Sequence, residues 1–346
     1  MKPLVSVVLP VYNARKYLKP CLEALLAQNY SNLEVVAVND GSTDNSGAIL
    51  DDFAKMYPER FKILHTPNGG VWRARKVGIA EARGKYIGFC DSDDLPMPDM
   101  YSLMVLRAEE TGADITVCPF WRIESESSKI LSVEMKQFGN EVLSVREDPG
   151  LLPIINTSLW NKLFRASLLT ETIEFDMPPR VLEDMMFLCS VYPLCEKVAF
   201  VDKPLYQYMV RKGSAMYRVT VDELNALVKS MVQTKTFVLN KSCDKRFREI
   251  CDLVAFIHLG LSFPSRLARS KEVPFWKVIR TVRNALNKHF PLYRRNQFCT
   301  LRYNRGHKNR MLKPMFALWC YKLRLTGLLM ILYRFFTDVL HIEIKW

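Results

Sequence analysis

Along the first 120 positions, apolar residues fall into short unbroken runs separated by stretches where they recur every third or fourth place. "LVSVVLPV" (Leu4–Val11), "LEVVAVND" (Leu33–Asp40), "FKILH" (Phe61–His65), Tyr86–Cys90 and Asp114–Cys118 predict strands covered on both faces. Between the first two, Leu18, Cys21, Leu22, Leu25 and Leu26 mark a helix, whose regular part is expected to start at Pro20. A second helix follows the cap-rich "GSTDNS", with Ile49, Phe53, Met56 and Tyr57 as its apolar face. An Ala-rich helix from about Val71 to Arg83 and another over Asp99–Glu110 complete the alternation. Strands and helices at this spacing imply βαβ units: an α/β fold with a mainly parallel, doubly wound sheet and helices on both faces.

Past residue 120 the pattern loosens. "VCPFWRIESESSKILSVEMKQF" reads as a hairpin, and "NTSLWNKLFRASLL" places Trp160 and Lys162 ahead of a short helix. "RVLEDMMFLCSVYP" predicts a helix with Leu182, Met185, Met186 and Cys189 on one face. "YQYMV" reads as an aromatic strand, and from about Val219 the chain is largely helical, apart from a basic loop near Phe290–Arg310. Two regions follow: a catalytic domain over 1–218 and a basic helical region over 219–346.

Charge sharpens that division. The chain of 346 residues carries a net +13, yet from Lys241 onward 22 Lys and Arg face 6 Asp and Glu, a net +16. The first 240 residues therefore sum to about −3, so the basicity belongs to the tail and implies separate partners for the two regions. Nine scattered cysteines, an odd number with no CxxC pair, favour a reducing, cytoplasmic setting over a disulfide framework or a zinc site. The opening "MKPLVSVVLPVYN" is broken by Pro10 and Asn13 and reads as a strand, not a signal peptide.

Doubly wound sheets bind ligands beyond the C-terminal ends of their strands. Four polar clusters lie there: Tyr12-Asn13, "NDGS" at 39–42, "NGG" at 68–70 and "DSDD" at 91–94. A turn at Ser92 can bring the Asp91 and Asp93 carboxylates together, and Mg²⁺ or Mn²⁺ binds one or two carboxylates plus substrate phosphates. The same four residues also suit a plain capped turn. Asp40 can accept from a nucleobase N–H, and the glycines of "NGG" leave room for close ligand approach. Arg73, Arg75 and Lys76 can meet phosphate, or form a solvated basic face. Glu183 and Asp184 at a helix start suit dipole capping, while Asp184, with an apolar helix behind it, also suits a general base. Arg211, Lys212 and Ser214 form either a cationic loop over a leaving diphosphate or a solvated turn.

In order and spacing, "VSVVLPVYNARKYLKPCLEALLAQNY", "LEVVAVNDGSTDNS", "NGGVWRARKVGIAEARGKYIGFCDSDD", "WNKLF", "LEDMMF" and "YQYMVRKGS" resemble a family-2 glycosyltransferase of the GT-A fold, over roughly residues 4–215. The resemblance implies a nucleotide-diphosphate sugar donor, a divalent metal (Mn²⁺ or Mg²⁺) and inversion at the anomeric carbon. It implies that Pro10, Tyr12, Asn13 and Asp40 hold the nucleoside, with Asn68 and Gly70 bordering its pocket. Arg75, Asp91 and Ser92 would meet the nucleotide sugar, and Asp93 the metal and diphosphate. Asp184, beside Glu183, would be the base; Arg211 and Ser214 would cover the diphosphate, and Trp160 and Lys162 would lie on the acceptor side. The family's Ala-Arg-Asn after "NGG" reads Ala74-Arg75-Lys76 here.

The acceptor is expected to be a glycan or lipid-linked saccharide. In the tail, Leu318, Tyr321, Leu325, Leu328, Leu329, Leu332 and Phe336 share one side of a helical wheel. With Trp319, Trp346 and nearby bases they suggest a helix lying on an anionic membrane surface, at the inner face of the cell membrane. The bland alternatives are packing on the catalytic domain or an oligomer contact. No nucleic-acid module is present, and the acidic rim would repel phosphate without a metal. Two other functions fit parts of the pattern: a nucleotidyltransferase, disfavoured by "VYNARKYL" where a Gly-rich triphosphate loop would stand, and an inactive sugar- or lipid-binding module.

Overall fold

The structure is a computed structural model that describes residues 2–170, 182–211, 221–264 and 275–334. The chain packs as two compact units. The first holds residues 2–147, 157–170 and 183–211; the second holds 148–156, 182, 221–264 and 275–334.

The first unit contains two sheets. Its strands are β1 (Val5–Val11), β2 (Leu33–Asp40), β3 (Phe61–Thr66), β4 (Tyr86–Phe89), β5 (Leu95–Pro96), β6 (Ile115–Val117), β7 (Phe120–Glu124), β8 (Ile130–Glu134), β9 (Val142–Ser144), β10 (Lys162–Arg165), β11 (Lys197–Phe200) and β12 (Tyr206–Val210). The main sheet runs β3-β2-β1-β4-β10-β6-β11-β9, and the smaller one β5-β12-β7-β8. Strands β3, β2, β1 and β4 are mutually parallel, as expected from their continuous apolar runs. The far half is mixed: β10 enters antiparallel between β4 and β6, and β9 closes the edge antiparallel to β11. Insertion of β10 is the feature the apolar pattern conceals, because its four residues adjoin a helix and supply no period of their own.

Helices α1 (Arg15–Leu26), α2 (Ser46–Met56), α3 (Val71–Glu81), α4 (Met100–Thr111), α5 (Ala166–Thr170) and α6 (Glu183–Val191) belong to the same unit. Three sequence expectations are corrected. Helix α1 runs unbroken through Pro20. Pro20 and Lys16 both lie on its exposed side, where water can serve a carbonyl left without a donor. The buried face of α2 is Ser46, Leu50 and Phe53, whereas Met56 and Tyr57 are exposed. Leu182 stands before α6 with φ +67°.

Tight contacts set the spacing of these layers. A side chain at Gly78 of α3 would put its Cβ 2.4 Å from Val8 Cγ1, so the helix lies directly on β1. Glu34, a polar residue inside an apolar strand, is buried because it has partners. It accepts from Ser6 Oγ at 2.5 Å, from Arg83 N at 2.9 Å and from the Arg83 guanidinium at 2.6 and 3.0 Å.

The second unit is helical: α7 (Val221–Lys241), α8 (Arg246–Ala255), α9 (Phe275–His289), α10 (Leu301–Gly306), α11 (Leu312–Lys322) and α12 (Thr326–Arg334). A π-helical turn, Phe256–Ser262, extends α8. Phe256, Tyr293 and Tyr321 form an aromatic core, and Tyr321 Oη donates to Gly260 O at 2.5 Å. The expected basic loop near Phe290–Arg310 contains a 3₁₀ turn, Pro291–Arg295, and α10. The single amphipathic helix expected near the C-terminus is two, since Arg324 adopts φ +60° between α11 and α12. Phe336 and Trp346 lie outside the described residues. All nine cysteines are free, eight of them buried.

Gly78→Leu is expected to force α3 off β1 and to lower stability by about 1–3 kcal/mol, read as a lower urea midpoint. An unchanged midpoint would mean that the helix is not seated as described.

Candidate active site

The β1, β2 and β4 tips and the turn ahead of α3 meet on one rim. At the end of β2, Asp40 is 2% exposed, and its two carboxylate oxygens accept from Gly69 N and Gly70 N, each at 2.8 Å. Asn68 Nδ2 donates to Asp40 O at 3.0 Å. Gly70 has φ +87°, a conformation that favours glycine. "NGG" is therefore held against Asp40 and sets the start of α3. Asn13, at φ +48°, accepts on Oδ1 from Thr43 N at 2.8 Å, and its own N–H donates to Ser42 Oγ at 3.0 Å. It laces the β1 and β2 loops together. Pro10 is buried within β1, while Tyr12 stands 53% exposed above it.

The acids form the second half of the rim, gathered by Arg75. This buried side chain, only 3% exposed, lies on the inward face of α3 with Ala74 and Ile79. Its Nη1 donates to Asp184 Oδ1 at 2.5 Å and lies 3.7 Å from Glu183 Oε1; its Nη2 donates to Asp91 Oδ1 at 3.1 Å. Sequence reading has Arg75 meeting nucleotide-sugar phosphate or forming a solvated basic face; the structure places it at the centre of a carboxylate cluster, because the turn of α3 points it inward. Burial alone would lower its pKa, but the charges of Asp184, Asp91 and Glu183 outweigh that and raise it.

The pressure on the acids runs the other way. Burial, then the neighbouring Asp184 charge, pushes Glu183 up to about 7 against the pull of Arg75. Burial also raises Asp184, and the Arg75 guanidinium resists the rise. Lys162 is fully buried, donating to Ser158 O at 2.6 Å and Asn161 Oδ1 at 3.0 Å. Burial pushes it down to about 7, while Asp184 draws it back up. Lys162 and Trp160, expected on the acceptor side, both lie in the interior. Trp160 is 5% exposed and stacks on Tyr206 at 4.5 Å.

The tetrapeptide Asp91–Asp94 divides its labour. Ser92 is the half-buried turn residue between two acids. Asp93 keeps 43% side-chain exposure and pairs with Arg211, whose guanidinium also lies 3.9 Å over the Tyr17 ring. Asp94 is buried; it accepts from Tyr206 Oη at 3.1 Å and from Met209 N at 2.8 Å, and burial raises its carboxyl well above the usual range. Asp94 and Tyr206 therefore pin the acidic loop to β12. Sequence reading passed over both, although the third acid of "DSDD" was a signal. Ser214 lies outside the described residues. Among those described, no three or more His, Cys, Asp or Glu side chains could hold a metal ion. A cation at Asp93 would need substrate oxygens and water to complete its shell.

A partly parallel sheet with paired acids at its strand tips and a small second sheet is a GT-A architecture. The model for the family described as "Glycosyl transferase family 2" matches residues 6–169. The chain is 34% identical over 232 residues to an uncharacterized glycosyltransferase, EpsJ, of Bacillus subtilis, spanning 64% of this chain and 67% of that protein. It is 28% identical over 216 residues to the minor teichoic acid biosynthesis protein GgaA of the same organism, covering 60% of this chain and about half, 48%, of that protein. The crystal structure of S. aureus TarS 1–349 in complex with UDP-GlcNAc superposes with a TM-score of 0.70 at 19% identity, over 92% of each chain. The chain belongs to glycosyl transferase family 2 and is a glycosyltransferase.

Arg75→Gln leaves three carboxylates without their cation. At pH 8 it is expected to lower stability by about 3–5 kcal/mol. The deficit should shrink at pH 5, because Glu183 and Asp184, already raised, then bind protons and no longer need the cation. Urea unfolding at both pH values checks this; an equal deficit at both would remove the electrostatic account.

Proposed function

We propose that the chain transfers a sugar, with inversion, from a nucleotide-diphosphate donor to a hydroxyl of a glycan or lipid-linked saccharide in cell-surface polysaccharide or glycolipid synthesis. The observation that carries this reading is Asp184 held 2.5 Å from a buried guanidinium at the rim. A base must keep a fixed position and a free electron pair. Arg75 supplies the position and opposes the rise that burial imposes on the Asp184 carboxyl, favouring its carboxylate form. A uridine diphosphate sugar is the donor we favour, supported by the fold shared with a protein crystallised with UDP-GlcNAc. The polysaccharide setting is supported by the teichoic acid relative.

In this reading Asp184 takes the proton of the acceptor hydroxyl as its oxygen bonds to the sugar's C1 from the face opposite the diphosphate. The C1–O bond to the diphosphate breaks, and the leaving group keeps the electron pair. Tyr12, Asn13, Asp40, Asn68 and Gly70 border the nucleoside, with Pro10 beneath them. Asp91 and Ser92 face the sugar side, and Arg211 offers positive charge to the diphosphate. Trp160 and Lys162 serve the acceptor side from behind the wall, through Tyr206 and Asp184. Asp93 would hold a Mg²⁺ or Mn²⁺ ion, which when bound offsets the charge of the departing diphosphate. Attachment at the inner face of the cell membrane belongs to the same proposal.

Asp184→Asn is expected to cut turnover by about 10²–10⁴-fold while donor binding stays nearly intact. Donor-release kinetics alongside a thermal-shift titration separate the two, and unchanged turnover would take Asp184 out of the mechanism. A thermal-shift panel of nucleotide sugars should stabilise the protein only with its donor, and more strongly with Mn²⁺ than with chelator. Equal shifts with and without the metal would count against a metal at Asp93.

A further inference from the structure

The helical unit carries an apolar stripe that its own core leaves uncovered. Leu312, Phe316 and Trp319 of α11, and Leu323 just beyond it, are 45%, 56%, 64% and 56% exposed. At 3.6 residues per turn, these four positions fall within about 60° of one another. The opposite side of α11, with Ala317, Leu318 and Tyr321, is buried in the unit. Leu328 and Ile331 of α12 are 52% and 57% exposed. The helical wheel drawn from sequence grouped Leu318 and Tyr321 with Leu328 as one outward face. Packing buries the first two, and the stripe lies on the other side of α11.

Along this stretch of the sequence the charge is of one sign. From Phe275 to Arg334 the chain has 14 Lys and Arg and not one Asp or Glu. Lys313, Lys322 and Arg324, in and beside α11, are exposed. Single exposed leucines need no explanation, but a regular stripe bearing Phe and Trp beside exposed lysines and an arginine does. Helix α11 spans 11 residues, and no described helix is long and apolar enough to cross a membrane.

We propose that the stripe from Leu312 to Leu323, with Leu328 and Ile331, is a docking face for the surface of an anionic phospholipid bilayer. The aromatic and aliphatic groups would enter the headgroup–acyl boundary while the bases meet lipid phosphates. A second copy of the chain is the poorer occupant, since a two-fold contact would bring two positive faces together. Nucleic acid would match the charge and can stack on Phe316 and Trp319, but Leu312, Leu323, Leu328 and Ile331 offer it neither stacking nor hydrogen bonds. The inference rests on the membrane placement proposed above and gives it a surface.

The test is co-sedimentation of the full chain with phosphatidylglycerol-containing and pure phosphatidylcholine vesicles, with donor hydrolysis measured on the same samples. Binding to the anionic vesicles should weaken with salt. Phe316→Ser with Trp319→Ser should cut the partition coefficient about tenfold or more, leaving hydrolysis and melting temperature unchanged. Lys313→Glu with Lys322→Glu should weaken it by at least about fivefold per base. Equal binding of either double variant and the parent would overturn the proposal, as would equal binding to both vesicle types. It would also fall if light scattering found a dimer that only the Phe316/Trp319 variant loses. Loss of hydrolysis with vesicle binding intact would instead count against the transferase reading.

Discussion

One buried guanidinium holds three carboxylates at the rim, and the arrangement of the first unit depends on it. Asp91 comes from the end of β4, while Glu183 and Asp184 open α6, more than ninety residues later. Without Arg75 these charges would repel one another and sit half-buried without a cation, an arrangement that ordinarily drives carboxylates to take up protons. With it, the two segments are drawn to the same point on α3. The helix is in turn fixed from both sides, by Gly78 against Val8 and by the turn that Asp40 grips through Gly69 and Gly70. Strand packing, turn chemistry and the site are thus links of one chain of constraints.

The acids of this rim show how environment assigns roles to identical side chains. Asp94 is shut away with Tyr206 and the Met209 amide, where a neutral carboxyl is favoured and serves as a pin. Asp93, one residue earlier, remains partly exposed and holds Arg211. Asp91 faces the buried Arg75. A basic chain can maintain such a local excess of negative charge because a buried arginine answers acids that are only partly open to water. The excess positive charge lies in the helical unit, whose sequence also carries a stripe of exposed aromatic and aliphatic groups.

Much of this was legible in the residues. The strands from β1 to β4 announced themselves because burial on both faces demands unbroken apolar runs. The rim clusters followed, since parallel topology sends all those strand ends to one side. The hairpin of β7 and β8 was equally plain. Less visible was anything that depended on partners far along the chain. Arg75 reads like its neighbours Arg73 and Lys76, and only its inward angle on α3 marks it out. Trp160 and Lys162 look like site residues by motif, yet both are interior. Pro20 reads as a helix boundary, although an exposed helix face tolerates it.

From its amino acids alone, the parallel sheet, the side of that sheet bearing the acids and the separation of a basic tail all follow, each a consequence of local periodicity or of charge counted along the chain. The protein's class was implied by the resemblance of its motifs to a known family. Only the tertiary structure decided which carboxylates share a cation, where β10 enters the sheet, and which face of α11 turns outward. Those outcomes depend on contacts between residues distant in sequence, where burial removes water as the competing partner and the nearest opposite charge takes its place.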